Sequence, residues 1–103
     1  MASSEGPTLI PMTALADQEV EERLADSDWR REGMAIVREW TFADFAAAIA
    51  FVDQVAVAAE AANHHPDIHV HGWNKVRLDL STHSEGGLTE ADFAMAARID
   101  SLA

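Results

Sequence analysis

The sequence predicts an α+β fold of order αββαββα, in which three helices pack on one face of a four-stranded antiparallel sheet. A long apolar stretch at helical spacing lies between two segments of strand character. A further segment of helical character stands at each end of the chain. Because each apolar face must be buried against another element, an antiparallel sheet covered by helices is the architecture that satisfies this order.

The length and composition indicate one domain. With 103 residues, 49% of them apolar, the chain can close one core, and so small a core favours burial of further surface between subunits. The first 12 residues are small and polar and include Pro7 and Pro11, so we expect a flexible arm at 1–12 before a single domain at 13–103.

The charge and cysteine content restrict the partners. The net charge of -11 comes from 18 acidic and 7 basic residues without a Lys or Arg cluster, so we expect no direct nucleic-acid binding. The chain has no cysteine, which excludes disulfides and suits a reducing cytosol. No signal peptide is evident, and the apolar stretch 45–59 is interrupted by Asp53 and Gln54 and is expected to be too short for a bilayer. We therefore predict a cytoplasmic protein without a membrane partner.

The first helix and the first hairpin follow the arm. Asp17 to Ala25 has acidic residues in its first turn, and Val20 and Leu24 are four residues apart, as in a short amphipathic helix. Trp29 to Thr41 carries apolar residues on both sides of Gly33 and is predicted to form two strands.

A long helix to about Ala62 is predicted next. Thr41 and Asp44 have the spacing of a capping box, and an Ala-rich segment follows them. Either one seam of this helix packs on the sheet and the other on a second subunit, or both belong to the core. The two seams are Phe42, Phe45, Ile49, Val52, Ala56 and Ala59, and Ala48, Phe51, Val55 and Ala58.

The second hairpin and the last helix complete the order. Ile68 to Val70 and Trp73 to Thr82 are predicted strands, and the latter alternates apolar with polar residues. Gly86 and Gly87 break the chain, and Thr89 with Asp92 is expected to cap the final helix.

All five histidines lie between positions 64 and 83. Histidine has an ordinary pKa of about 6.5, so it can both give and accept a proton near neutrality, as elimination of water requires. His64 and His65 leave the long helix before Pro66, which stops it, and His83 follows the fourth strand, so these side chains can converge. Glu60, one helical turn before His64, is expected to hydrogen-bond the His64 imidazole.

Four segments carry a resemblance to a known family. They are Asn63-His64-His65-Pro66, Trp73-Asn74-Lys75-Val76, Leu80-Ser81-Thr82-His83 and Gly87-Leu88-Thr89-Glu90-Ala91-Asp92. In order and at similar spacing they resemble the pterin-4a-carbinolamine dehydratases, over roughly Leu15 to Ile99. The resemblance implies dehydration of 4a-hydroxytetrahydropterin to quinonoid dihydropterin without metal or organic cofactor. It also implies homodimers or homotetramers and a role in pterin recycling for aromatic amino acid hydroxylation.

The resemblance also implies a set of site residues. The histidines are His64, His65 and His83, and the supporting positions are Glu60, Asn63, Pro66 and Asp92. We expect His64 and His83 to serve as acid and base, in an order left open, and His65 to bind and orient the pterin. Trp73 is expected either to border this pocket or to pack in the core.

Two other interpretations stay open. The segment between Pro66 and Asn74 is about one residue longer than in the family pattern and carries His69 and His71, which share one strand face and could bind a metal. No cysteine or third ligand supports this, so we expect no metal. A non-catalytic member of the same fold, acting as a dimerisation cofactor or an assembly chaperone, is the other alternative. Three histidines at these spacings favour the enzyme.

Overall fold

The computed structural model describes residues 13–103, so the predicted arm at 1–12 lies outside the described residues. The elements follow the predicted αββαββα order, with a 3₁₀ turn at His83–Glu85. They are α1 (Asp17–Leu24), β1 (Arg30–Glu32), β2 (Ala35–Thr41), α2 (Phe45–Ala62), β3 (Asp67–His71), β4 (Lys75–Leu80) and α3 (Glu90–Asp100). The α+β prediction is confirmed.

The four strands form one antiparallel sheet in the order β1-β2-β4-β3. Trp40 on β2 lies opposite Val76 on β4, and Ile36 lies opposite Leu80, so their side chains share one face. These residues are buried, whereas the alternate residues of β4 are polar and only half-buried. One face of the sheet therefore carries the helices, and the other carries charged side chains.

The start of α2 differs from the prediction. Its N-cap is Asp44, whose carboxylate accepts a hydrogen bond from the Ala47 amide at 2.7 Å. Thr41 instead stays in β2, where it pairs with Lys75. The expected cap at Thr41 is wrong because pairing with β4 holds this residue in the sheet until the chain turns.

The two predicted seams of α2 have different surroundings. Ala48, Phe51, Val55 and Ala58 are all buried and belong to the core. On the other seam Ala59 is buried, but the Phe45 side chain is 55% exposed. The first seam therefore lies in the core of this chain, and only part of the second does.

The length of α2 corrects one further expectation. Its 18 residues have a mean hydropathy of 1.6, so by length and composition the helix could cross a membrane. The expectation that this stretch is too short for a bilayer is therefore wrong. One face of α2 is buried in the core of the domain, and a core helix has the same composition.

Two tryptophans, one just before β1 and one on β2, pack in the core. Trp29 and Trp40 are buried and meet edge to face, with ring centroids 5.7 Å apart. Trp40 also contacts Phe51 of α2 at a centroid distance of 4.9 Å. Such aromatic pairs join the first hairpin to the long helix.

Candidate active site

The C-terminal end of α2 directs the first two histidines of the site. Asn63 adopts the left-handed conformation, with φ 51° and ψ 42°. The His64 amide donates to the Ala59 carbonyl at 3.1 Å and the Asn63 amide to the Glu60 carbonyl at 3.3 Å, which is the Schellman arrangement. Asn63 therefore reverses the chain, so that His64 and His65 follow α2 without continuing its helical spacing.

The sheet register brings the third histidine to the same end of the domain. Asp67, the first residue of β3, lies opposite Asp79 near the end of β4. Because the two strands are antiparallel, the residues before β3 and those after β4 emerge at one edge. His64 and His65 precede β3 by a few residues, and His83 follows β4. The predicted convergence of a helix end and a strand end rests on this pairing.

His64 is oriented by a buried carboxylate. Its Nε2 lies 2.7 Å from Oδ1 of Asp92, whose side chain is fully buried, while the His64 side chain keeps 14% of its exposure. Oδ2 of Asp92 accepts from the Thr82 hydroxyl at 2.8 Å and from the Thr89 amide at 2.9 Å. Asp92 thus completes the predicted capping box of α3 and also holds the His64 ring.

Glu60 contacts a different histidine from the one expected. Its carboxylate is paired with Nε2 of His65, and both side chains are exposed. The expected bond to His64 is wrong because the left-handed residue at 63 ends the helical spacing on which it depended. His64 turns towards α3, and His65 lies beside the last turn of α2.

His83 begins the 3₁₀ turn and is exposed. Its Nε2 lies 3.1 Å from the hydroxyl of Ser81. Thr82, between these two residues, is buried and reaches Asp92. Of the two residues that follow β4, Ser81 contacts the exposed His83 and Thr82 contacts the buried carboxylate of Asp92.

Thr82 and Thr89 contact the site, a role that the sequence did not suggest for either residue, although Thr89 was expected to cap α3. The two hydroxyls lie 2.9 Å apart, and both side chains are buried. A signal for Thr82 was present, because Val76, Leu78 and Leu80 alternate along the core face and Thr82 is the next position of that alternation. It predicts a buried hydroxyl beside the helices, which needs a polar partner.

An open groove runs between α2 and α3 beside His64. Its volume is about 430 Å³, which is within the range of small-molecule sites. Ala61, Ala62, Ala94 and Met95 contribute apolar walls, and Arg98 lines it together with His64. The groove therefore gives a small molecule access to His64 along a largely apolar surface.

Trp73 is not placed as expected. It lies in the turn between β3 and β4 with φ 57°, and its side chain is 62% exposed. The next residue, Asn74, donates its amide to the Phe42 carbonyl at 2.9 Å, close to the start of α2. The length of β3, roughly 16 Å, separates this turn from Pro66. Within one subunit Trp73 neither borders the histidine site nor packs in the core.

The two remaining histidines lie on the helix-free face of the sheet. His69 is opposite Arg77 and His71 is opposite Lys75, so they share one face as predicted. His71 contacts the carboxylate of Glu39 on β2. Among residues 13–103, no group of three or more His, Cys, Asp or Glu side chains converges as metal ligands. Neither histidine belongs to the site at the end of α2.

An ion pair supports the end of α3 that carries Asp92. Arg23 of α1 reaches both carboxylate oxygens of Glu90, the first residue of α3, and also bonds Glu19. The Arg23 guanidinium lowers the pKa of the Glu90 carboxyl, and Glu90 followed by Glu19 raises the pKa of Arg23. This contact joins α1 to the first turn of α3, next to the Thr89 cap.

The comparisons with known sequences agree on one family. Residues 13–102 match the profile of the family described as Pterin 4 alpha carbinolamine dehydratase. A relative from Chloroflexus aurantiacus, provisionally named pterin-4-alpha-carbinolamine dehydratase, is 54% identical over 92 residues, which cover 88% of this chain and 98% of the relative. A relative from a Roseiflexus species with the same provisional name is 50% identical over 91 residues, covering 87% and 97%.

Two solved structures share the fold. A Brucella melitensis protein described as a transcriptional coactivator/pterin dehydratase superposes with a TM-score of 0.82 at 37% identity, covering 88% of this chain and 99% of that one. A pterin dehydratase-like protein identified as a RuBisCO assembly factor in the alpha-carboxysome gives 0.59 at 29% identity, covering 72% and 84%. The family profile matches almost all of residues 13–103, and relatives with about 50% sequence identity align over nearly the same length. The chain therefore belongs to the pterin 4 alpha carbinolamine dehydratase family.

Proposed function

We propose that this protein dehydrates 4a-hydroxytetrahydropterin to quinonoid dihydropterin by histidine acid and base catalysis. The observation that carries the proposal is the His64 and Asp92 pair, a mostly buried imidazole held by a fully buried carboxylate. His65 and His83 lie at the same end of the sheet. One imidazole of fixed orientation and two exposed imidazoles at the same end of the sheet are suited to moving protons on a small substrate.

The reaction needs one proton at each of two places. One imidazolium gives its proton to the 4a-hydroxyl, the carbon–oxygen bond breaks, and water leaves. The electron pair of the adjacent ring nitrogen forms the new carbon–nitrogen double bond, and a ring N–H proton passes to a neutral imidazole. We assign these two steps to His64 and His83, and we assign binding and orientation of the pterin to His65 with Glu60. Protonation makes the hydroxyl a good leaving group, so positioned imidazoles of about 10²–10⁴-fold effect each suffice without metal or organic cofactor.

A direct assay of 4a-hydroxytetrahydropterin dehydration tests the proposal. The substitutions His64→Ala and His83→Ala should each lower the rate by about 10²–10⁴-fold while the circular dichroism spectrum stays unchanged. His69→Ala is the matched control, because His69 is exposed on the other face of the sheet and should keep the full rate. Treatment of the wild-type protein with EDTA should leave the rate unchanged. Full activity in both His64→Ala and His83→Ala would overturn the assignment.

A non-catalytic role as a dimerisation cofactor or an assembly chaperone is the second candidate. It is favoured by the fold relatives described as a transcriptional coactivator/pterin dehydratase and as a RuBisCO assembly factor. A scaffold has no need of an imidazole oriented by a buried carboxylate, so we rank it second. A purified wild-type protein that does not accelerate dehydration at all would reverse this order.

We further propose that the protein works as a homodimer or homotetramer in the cytoplasm, in pterin recycling for an aromatic amino acid hydroxylase. Self-association is supported by the exposed apolar side chains of Phe45 and Trp73 and by Val57, which is 70% exposed on α2. Among residues 13–103, no strand pairs with the outer edge of β3. Sedimentation equilibrium should give two or four times the subunit mass, and a monomer at micromolar concentration would contradict the proposal.

A further inference from the structure

We propose that Thr82 and Thr89 are positioning residues that hold His64 in the tautomer protonated on Nε2, so that Nδ1 is the atom that exchanges a proton with the pterin. The inference rests on the proposed function for the identity of the substrate. The assignment of the tautomer rests on the hydrogen bonds around Asp92 alone.

The hydrogen bonds around Asp92 determine which atoms donate. A carboxylate only accepts, so the Thr82 hydroxyl and the Thr89 amide both donate to Oδ2, and Nε2 of His64 donates to Oδ1. The Thr82 hydroxyl hydrogen is then committed to Asp92. In its 2.9 Å contact with Thr89, Thr82 must accept and the Thr89 hydroxyl must donate.

The Thr89 hydroxyl connects this series of hydrogen bonds to the start of α3. Its oxygen accepts a hydrogen bond from the Ala91 amide at 3.2 Å, which belongs to the first turn of the helix. The donors therefore point in one direction, from the first turn of α3 through Thr89 and Thr82 to Asp92. Backbone amides at a helix N-terminus favour negative charge, so this direction stabilises Asp92 as an acceptor for His64.

Burial gives this arrangement its effect on the histidine. Thr89 and Asp92 have no exposed surface and Thr82 has 6%, so water does not compete for their hydrogen bonds. With Nε2–H bound to the carboxylate, neutral His64 keeps its lone pair on Nδ1, and protonated His64 carries its transferable proton there. The ring can give or accept a proton at Nδ1 without losing its contact with Asp92.

The nitrogen-15 NMR spectrum of the His64 ring tests the tautomer without reference to catalysis. In the wild-type protein above pH 8, the chemical shifts should identify Nε2 as protonated and Nδ1 as unprotonated. Thr82→Val keeps the size of the side chain but removes its hydrogen bond, which leaves Oδ2 of Asp92 held by the Thr89 amide alone. Oδ1 is then less firmly directed at Nε2 of His64, so the ring should shift towards a mixture of tautomers. Thr82→Ser should restore the wild-type spectrum. The control Thr41→Val, on the exposed end of β2, should leave it unchanged.

Two spectroscopic results would overturn the inference. One is a wild-type ring protonated on Nδ1, which can be measured even if Thr82→Val fails to fold. The other is an unchanged His64 spectrum in a folded Thr82→Val protein. Neither result bears on whether the protein dehydrates pterins.

Kinetics then separate a positioning role from a purely structural one. Thr82→Val should lower kcat by about tenfold, the equivalent of one hydrogen bond to a charged group, with KM unchanged and an altered pH profile of kcat. Thr82→Ser should recover both the rate and the profile. Equal kcat values in wild type and Thr82→Val would refute the positioning role. A lack of dehydration in the wild-type protein would instead refute the proposed function and leave the tautomer assignment standing.

Discussion

Replacement of Asp92 by Asn changes one oxygen into an amide nitrogen at a fully buried polar position. Asp92 accepts three hydrogen bonds, from His64, Thr82 and the Thr89 backbone, and its side chain has no exposed surface. Asn offers one acceptor and one donor group, so it cannot satisfy all three donors in either orientation. The least costly solution keeps the amide oxygen towards Thr82 and Thr89 and presents the NH₂ group to a His64 ring that has changed tautomer.

The loss of stability in Asp92→Asn follows from these contacts. A hydrogen bond to a charged group contributes about 1 kcal/mol more than a hydrogen bond between neutral groups, so the three bonds together lose about 3 kcal/mol of stability. Asn offsets part of this loss, because it no longer requires burial of a charge. We expect a net destabilisation of about 2–3 kcal/mol, which corresponds to a fall in Tm of roughly 8–24 °C for a domain of this size. Because the surviving His64 contact requires the other tautomer, dehydration should also fall by about 10²–10⁴-fold.

Urea and thermal unfolding followed by circular dichroism measure the loss of stability. Asp53→Asn is the matched control, since it makes the same chemical change at an exposed position of α2 and should alter stability by at most about 0.5 kcal/mol. An Asp92→Asn protein as stable as the Asp53→Asn control would show that the three contacts do not hold the site together. The reasoning about Asp92 would then be refuted.

Three further predictions concern the rest of the domain. Val55→Ala, which truncates a fully buried side chain of α2, should cost about 2 kcal/mol in urea unfolding, whereas Val57→Ala, at a position 70% exposed, should change stability by at most about 0.5 kcal/mol. Glu90→Gln should cost at most about 1 kcal/mol at pH 7, because its half-exposed pair with Arg23 is screened by solvent. Since Arg23 lowers the pKa of Glu90, that contribution is present above the unfolded pKa of about 4.3 and is lost as the pH falls through the lower folded pKa. A difference between wild type and Glu90→Gln that does not shrink on acidification would contradict this origin. Trp73→Asn should keep the dehydration rate within about twofold, and a tenfold loss would return Trp73 to the site.

The cap of α3 and the candidate site share the same atoms. Asp92 closes the capping box with Thr89 and holds His64, so one carboxylate serves both the helix end and the imidazole. A stability measurement alone therefore does not separate structural from catalytic effects of substitutions here. The Thr82→Ser variant is useful for this reason, because it keeps the hydroxyl and changes only a methyl group.

The sequence by itself determined the order of elements, and it predicted the single domain and the histidines of the candidate site. These follow from periodicity along the chain, from capping residues such as Thr89 and Asp92, and from the spacing of motifs around Pro66, all of which are local. The alternation of buried residues through Leu80 also predicts that Thr82 is buried.

Only the tertiary structure decided which groups meet. The left-handed Asn63 turned His64 towards α3 and left Glu60 with His65, and the antiparallel register sent Trp73 to the far end of the second hairpin from the histidines. A side-chain contact between distant segments depends on the backbone angles at a turn and on strand register. These depend on packing of the whole domain, whereas spacing in the sequence reports only which side chains are neighbours on one helix or one strand.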